Sequence, residues 1–202
     1  MKKTIQRITA LTLAAVLLSI TGFAAKKKSD SGVKPAFDKG SKTIGIFAGL
    51  GMSYGYYGSP VQLPALGIIY DQGIVANVGP GTIGIGGILA YKGASYKYPN
   101  GGYKATWTNY IIAVRGTYHL TILKDKNNKF DPYAGVMAGV RIYQYEDTYY
   151  NTLPVNPYSY GSAYMITGAF VGAKYNFSKN FGAFAEFGYD ISNLRIGLNF
   201  NF

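Results

Sequence analysis

A chain of 202 residues with no cysteine carries one histidine, His119. Hydrolysis or acyl transfer would need it within hydrogen-bond reach of a serine and an acid. Alternation of side chains puts His119 near the end of a strand, pointing inward, and no serine lies close to it. A plugging or interfacial residue is the better reading, and no enzyme activity is expected; a lipid-modifying enzyme using His119 is the second alternative. Gly79-Pro-Gly-Thr-Ile-Gly84 spells a dinucleotide fingerprint. A strand rather than a helix follows it, and Lys104 stands where an acid about 20 residues on is required. Asp125-Lys-Asn-Asn-Lys-Phe-Asp131 lacks the sixth-position glycine and twelfth-position acid of a calcium loop. Asn176-Phe-Ser178 is a glycosylation sequon by spelling only. No cofactor and no metal are expected.

Six further charges sit inside apolar alternation: Asp71, Arg115, Arg141, Lys174, Glu186 and Arg195. Each takes the parity opposite to an apolar neighbour, respectively Tyr70, Val114, Val140, Ala173, Phe187 and Ile196. Side chains in a strand point alternately to its two faces, so all six charges share one face. Their chemistry is ion pairing. If residues 190–193 form a four-residue loop, Glu186 faces Gly197 and becomes a diagonal neighbour of Arg195.

The elements that must position these charges are eight alternating segments: residues 43–54, 65–74, 82–93, 105–120, 132–145, 162–177, 181–189 and 194–202. Turn chemistry separates them, and no helical periodicity intervenes. Composition agrees: 27 glycines, 20 tyrosines and 11 phenylalanines crowd a chain in which only 14% of residues are charged. Glycine weakens helices, whereas tyrosine and phenylalanine suit pleated sheets. The expected class is all-β.

The contents of the two faces decide what kind of sheet this is. In the last segment Leu194, Ile196, Leu198, Phe200 and Phe202 oppose Arg195, Gly197, Asn199 and Asn201. In the first, Ile44, Ile46, Ala48 and Leu50 oppose Thr43, Gly45, Phe47 and Gly49. A face turned to water would be rich in Lys, Glu, Thr and Gln, yet the second face is crowded with glycine and holds one charge or none per segment. It suits the cramped interior of an eight-stranded barrel, which is just wide enough to be filled by side chains. The apolar face then looks out to lipid, over cores close to the roughly 9–11 residues that cross a bilayer at 45°. The expected architecture is an eight-stranded antiparallel up-and-down transmembrane β-barrel, with every backbone donor paired by closure of the last segment on the first.

Residues 1–25 read as a signal peptide: Lys2, Lys3 and Arg7, then an apolar core too short to span a bilayer, then Gly22-Phe-Ala-Ala25. Without the three cations, the formal charge of +11 falls by three. Half of the remainder comes from Lys26, Lys27, Lys28, Lys34, Lys39 and Lys42 net of Asp30 and Asp38. Residues 26–41 are read as a flexible basic tail and 42–202 as the barrel. Cations gathered in a tail, away from aromatic stacking platforms, argue against nucleic acid as a partner.

Three stretches carry a family resemblance: FGAFAEFGYDISNLRIGLNFNF, DPYAGV and NVGPGTIGIGG. They resemble the bacterial outer-membrane barrels of the small OmpA/OmpX type, most of all the porin-family β-barrel proteins of Bacteroidetes, over essentially all of residues 42–202. The resemblance implies a Gram-negative outer membrane, short periplasmic turns and long external loops. It implies too that Leu198, Phe200 and Phe202 form the C-terminal signal read by the barrel-assembly machinery during insertion. Outer-membrane lipid is then the constant partner, and a monomer is expected. The expected role is structural or surface-interacting around a side-chain-filled lumen, with a narrow pore for small solutes or ions as the alternative. Loops carry variable binding surface on a rigid scaffold. The stretch 146–161, with Tyr149, Tyr150, Tyr158 and Tyr160, is the candidate external binding loop for an extracellular ligand.

Overall fold

A computed structural model of the chain describes residues 35–51, 60–99, 102–121, 129–148, 159–189 and 191–202. Nine strands occur among them: β1 (Lys42–Leu50), β2 (Val61–Gln62), β3 (Ala65–Val78), β4 (Gly81–Lys97), β5 (Lys104–Leu120), β6 (Phe130–Asp147), β7 (Ser159–Asn176), β8 (Phe181–Tyr189) and β9 (Leu194–Asn201). Antiparallel pairing runs β4-β3-β1-β9-β8-β7-β6-β5 and returns from β5 to β4, so an all-β antiparallel sheet is ringed through eight strands. The short β2 is an annex on the upper part of β4. Closure between first and last strands runs from Thr43↔Asn201 to Leu50↔Leu194.

The expected alternation holds along β1, where Thr43, Gly45, Phe47 and Gly49 are buried while Ile44, Ile46, Ala48 and Leu50 are exposed. The ring has an apolar outside: Ile46 (61% exposed), Val114 (64%), Val136 (63%) and Phe187 (60%) are typical. A bulge between Gly73 and Val75 of β3 lets two consecutive apolar residues, Ile74 and Val75, both face outward. The inside holds more than glycine and charge. Phe47, Ile69, Ile88, Ile111, Met137 and Phe184 form a buried apolar cluster, over which Ile191 folds in from the β8–β9 turn. Glycine makes room for it at two places: Cβ atoms on Gly45 and Gly197 would come within 2.9 and 2.5 Å of the Phe184 ring.

Three expectations need correction. The stretch 146–161 is not wholly irregular, because β6 and β7 stay paired up to Tyr145↔Tyr160 and Glu146↔Ser159. Strand pairing does not stop where the outer face turns polar, since backbone ladders form in water as well as in an apolar medium. The β8–β9 ladder ends at Phe187↔Leu194, so Glu186 stands directly opposite Arg195 rather than diagonal to it. The connection between the strands is residues 190–193, but the ladder closes across 188–193: Ile191 and Ser192 are buried, and Gly188 N–H donates to the Asn193 carbonyl at 3.0 Å. Lastly, the end of the stretch read as a tail is packed. Phe37 is 2% exposed, and Gly40 N–H donates to the Gly73 carbonyl of β3 while Gly73 N–H donates to the Ser41 carbonyl, both at 2.9 Å. An added Cβ at Gly73 would strike the Asp38 carbonyl, so glycine there admits the segment.

Strand lengths make the ring lopsided. β4 to β7 have 17, 17, 18 and 18 residues, whereas β1, β8 and β9 have 9, 9 and 8. On the long strands the outer face changes character along one ladder row. Tyr91, Tyr110, Ile142 and Ala163 are consecutive partners, and the next outward row is Gly93, Thr108, Gln144 and Gly161. Above that come Ser95, Thr106, Glu146 and Ser159. A four-stranded sheet thus rises past the apolar belt.

Candidate functional site

The lumen gathers charge from five strands around Glu186, and a sixth adds the Tyr133 hydroxyl. Its Oε2 accepts Arg195 Nε at 2.7 Å, and its Oε1 accepts Arg115 Nη2 at 2.6 Å and the Tyr133 hydroxyl at 2.8 Å. Arg115 Nε lies 3.1 Å from Asp71 Oδ1 as an ion pair without hydrogen-bond alignment. Lys174 Nζ reaches Asp71 Oδ2 at 3.4 Å. Gly86 of β4 stands between Asp71 and Arg115 in the ladder, where a Cβ would meet Asp71 Oδ1 at 2.6 Å; its absence lets the two side chains meet across β4. The Arg115 guanidinium also covers the Phe170 ring at 4.2 Å, with Arg195 at 5.3 Å from the same ring.

Asp71, Arg115, Lys174, Glu186 and Arg195 are all buried, at 1–4% exposure. Three cations and two carboxylates therefore share one desolvated cluster, where aromatic faces and the Tyr133 hydroxyl assist the pairing. Such an arrangement locks side chains in place and fills the bore. Arg141, the sixth of the charges, is set apart. It lies on the same inward face of β6 as Tyr133 but eight residues further on, about 26 Å along a strand, and its guanidinium is 5.4 Å from the Tyr164 ring.

His119 is fully buried. Its Nδ1 lies 2.9 Å from both Asp131 oxygens, and its Nε2 lies 3.1 Å from Thr117 Oγ1. The ring is sandwiched between Phe37, stacked at 3.7 Å, and Tyr133 at 5.0 Å. Acid, histidine and hydroxyl in line resemble a hydrolytic relay, but among the described residues it is covered: Thr117 is 3% exposed and Phe37 stacks on the imidazole. The arrangement seals one mouth of the ring. Sequence reasoning missed Phe37, Asp131 and Tyr133. Asp131 and Tyr133 could have been found by extending the inward parity of Arg141 down the strand; Phe37 had no periodic partner to reveal it.

The other mouth is aromatic. Tyr96, Tyr98, Trp107, Tyr143 and Tyr145 pack together on the inner side of the rising sheet. Asp147, fully buried, accepts hydrogen bonds from Tyr98 and Tyr145 at 2.7 and 2.8 Å. Tyr160 is a strand residue, 5.6 Å from Tyr143 by ring centroid and half exposed. Tyr149, Tyr150 and Tyr158 lie outside the described residues. Leu198, Phe200 and Phe202 are exposed on the outer face, with Phe200 stacked on Phe202 at 6.2 Å.

No protein-family model matches the chain, and no curated protein matches it. Among solved structures, it is similar to Ail, the attachment invasion locus protein of Yersinia pestis, determined with the heparin analogue sucrose octasulfate. Identity is 14% over 81% of this chain and 99% of that one, with a TM-score of 0.49. The N-terminal β-barrel domain of Pseudomonas aeruginosa OprF is 16% identical, over 81% and 98% of the two chains, with a TM-score of 0.44. The outer membrane protein OprG of the same organism is 11% identical, over 84% and 99%, with a TM-score of 0.42. No role is transferred from them to this chain.

Proposed function

We propose that the chain is a non-enzymatic integral outer-membrane β-barrel with a closed lumen, presenting its rising sheet for surface interactions. The observation that carries this reading is the inversion of its faces: buried ion pairs inside, a continuous apolar belt outside. In water such a surface would be an aggregation liability, whereas in hydrocarbon a closed ring with an apolar exterior satisfies every requirement. Residues 132–142 of β6, between the first outward apolar positions and the row at which polarity begins, match the roughly 9–11 residues of a bilayer crossing. Residues 1–25 would direct export, and Leu198, Phe200 and Phe202 would be read by the assembly machinery at insertion. Within the porin-family proteins of Bacteroidetes this would be a filled barrel and not an open pore, because Arg115, Glu186, Tyr133 and Phe37 occupy the bore.

The start of β1, the end of β9 and the short β3–β4 and β7–β8 turns share one end, which we assign to the periplasm; the rising sheet is then external. Its β7 edge supports an interaction role. β7 pairs with β8 only through residues 169–176, so residues 159–168 are paired on the β6 side alone among the described residues. The edge carries no charge and no proline from 159 to 168, the two devices that usually blunt an edge. An extended segment of a partner could add to it as a further strand. Refolding in detergent tests the membrane reading: a folded band of altered mobility that reverts on boiling is expected, and a mature chain that stays monomeric in plain buffer overturns it.

A further inference from the structure

A cavity of about 560 Å³ opens at the periplasmic rim between the Phe37 segment and the strand ends. Pro35, Ala36 and Ser41 line it together with Lys129, the β7–β8 turn residues Ser178, Lys179 and Asn180, and the strand-end residues Lys42, Thr43, Asn176, Asn201 and Phe202. Its charged side chains are thus three lysines, and no aspartate or glutamate lines it.

The walls are held by backbone hydrogen bonds that join the rim segments in pairs. Phe202 N–H donates to Lys42 at 3.0 Å, Asn176 to Lys129 at 2.8 Å and Asn201 to Asn180 at 2.8 Å. The asparagines are ordered by one another. Asn201 Nδ2 donates to Asn176 Oδ1 at 2.9 Å, Asn180 Nδ2 donates to the Asn201 carbonyl at 2.9 Å, and Thr43 Oγ1 donates to Asn201 Oδ1 at 3.0 Å. The Ser41 and Ser178 hydroxyls accept from Asp38 N–H and Phe181 N–H, which leaves their protons to donate into the space. The cavity therefore brings together three lysines and two hydroxyl donors, with no aspartate or glutamate among its lining residues.

We propose that this rim cavity binds a phosphate group. Lysine is a point-charge donor, and planar bidentate recognition of a carboxylate would call for arginine, which the cavity lacks. Donors arriving from several directions suit a tetrahedral oxyanion. The phosphate could be a lipid headgroup from the facing leaflet, next to outward-facing Phe202, or a soluble phosphate ester. Only the lipid source rests on the membrane reading above. Because Pro35 and Ala36, next to Phe37 in the chain, line the cavity, occupancy would also hold Phe37 in its seat.

The test uses the full mature chain refolded in octyl glucoside, a detergent without phosphate, with folding checked by heat-modifiable mobility. Glycerol 1-phosphate is titrated against glycerol while the side-chain amides of Asn176, Asn180 and Asn201 are followed by NMR. A second arm repeats the observation in phosphatidylglycerol nanodiscs. Shifts with glycerol 1-phosphate identify a site open to soluble esters, and shifts seen only in the nanodiscs identify the headgroup. Combining Lys42→Gln, Lys129→Gln and Lys179→Gln should weaken binding by about tenfold or more through lost charge-assisted contacts. Lys97→Gln with Lys104→Gln, at the other end of the barrel, should leave it unchanged. Silent amides in both arms, or equal losses in the two variants, overturn the proposal. A chain that fails the mobility check speaks against the membrane reading instead, and the glycerol 1-phosphate arm is read independently of it.

Discussion

Glu186 and Arg195 face each other across the β8–β9 ladder and meet at 2.7 Å, fully buried, with Arg115 on the remaining carboxylate oxygen. The contact couples ring closure to lumen filling, since β9 is also the strand that shuts against β1. Removing one partner of a buried pair strands the other charge in a medium that cannot solvate it. Glu186→Ala should therefore lower stability by about 3–5 kcal/mol in a urea titration of the detergent-folded protein. Glu146→Ala, on the exposed outer face of the rising sheet, should stay within about 0.5 kcal/mol. Equal effects would mean that the lumen network adds nothing beyond a surface charge.

Phe37 acts on the same interior from the chain end. Its ring is seated on His119 and lies 5.2 Å below Lys174 Nζ. Truncating a buried phenylalanine typically costs about 3–5 kcal/mol, and Phe37→Ala should lose that much in the same titration. A loss below about 1 kcal/mol would mean that the ring rests on the mouth without sealing it.

What was legible in the sequence, and what was not, follows from periodicity. Alternation sorts each barrel strand into faces, because a side-chain period of two leaves no third choice once the apolar set is known. The inward direction of Asp71, Arg115 and Glu186 follows from that alone. Partnership does not: Arg141 shares their parity yet stands well along β6, because parity carries no height. Register across β8–β9 depended on the turn, where the ladder closes across 188–193 with Ile191 and Ser192 buried. Phe37 sits among Lys34, Asp38 and Lys39 with no repeating apolar neighbour, so nothing local marks it as core. The rise of β6 and β7 was hidden because Tyr160 reads with Tyr149, Tyr150 and Tyr158 as part of an external loop.

The β7 edge makes a measurable claim about backbone exposure. Amide hydrogen exchange should divide β7 near Ala169. Residues 170–175, paired on both sides, should exchange slowly, while part of 159–168 should exchange at rates nearer those of frayed strands. Uniform protection along β7 would mean that the edge is covered, and strand addition there would be withdrawn.

His119 separates a structural seal from chemistry. Expression of the protein should leave the lipid A species of the host unchanged by mass spectrometry, with or without His119→Ala. The substitution should act instead on folding, since it leaves the Asp131 carboxylate buried without its 2.9 Å partner. A new lipid species that disappears with His119→Ala would establish an enzyme.

The central claim is that the outer face of the ring meets hydrocarbon. Val136 and Met137 are adjacent on β6, one 63% exposed and the other 5%, and they divide the two faces within one residue. In a Trp107→Phe background, which removes the chain's one tryptophan, Val136→Trp and Met137→Trp each supply a single fluorophore. Reconstituted in lipid brominated on its acyl chains, Val136→Trp should be strongly quenched and Met137→Trp should not. Quenching of Met137→Trp alone, or of neither, would contradict the lipid-facing exterior.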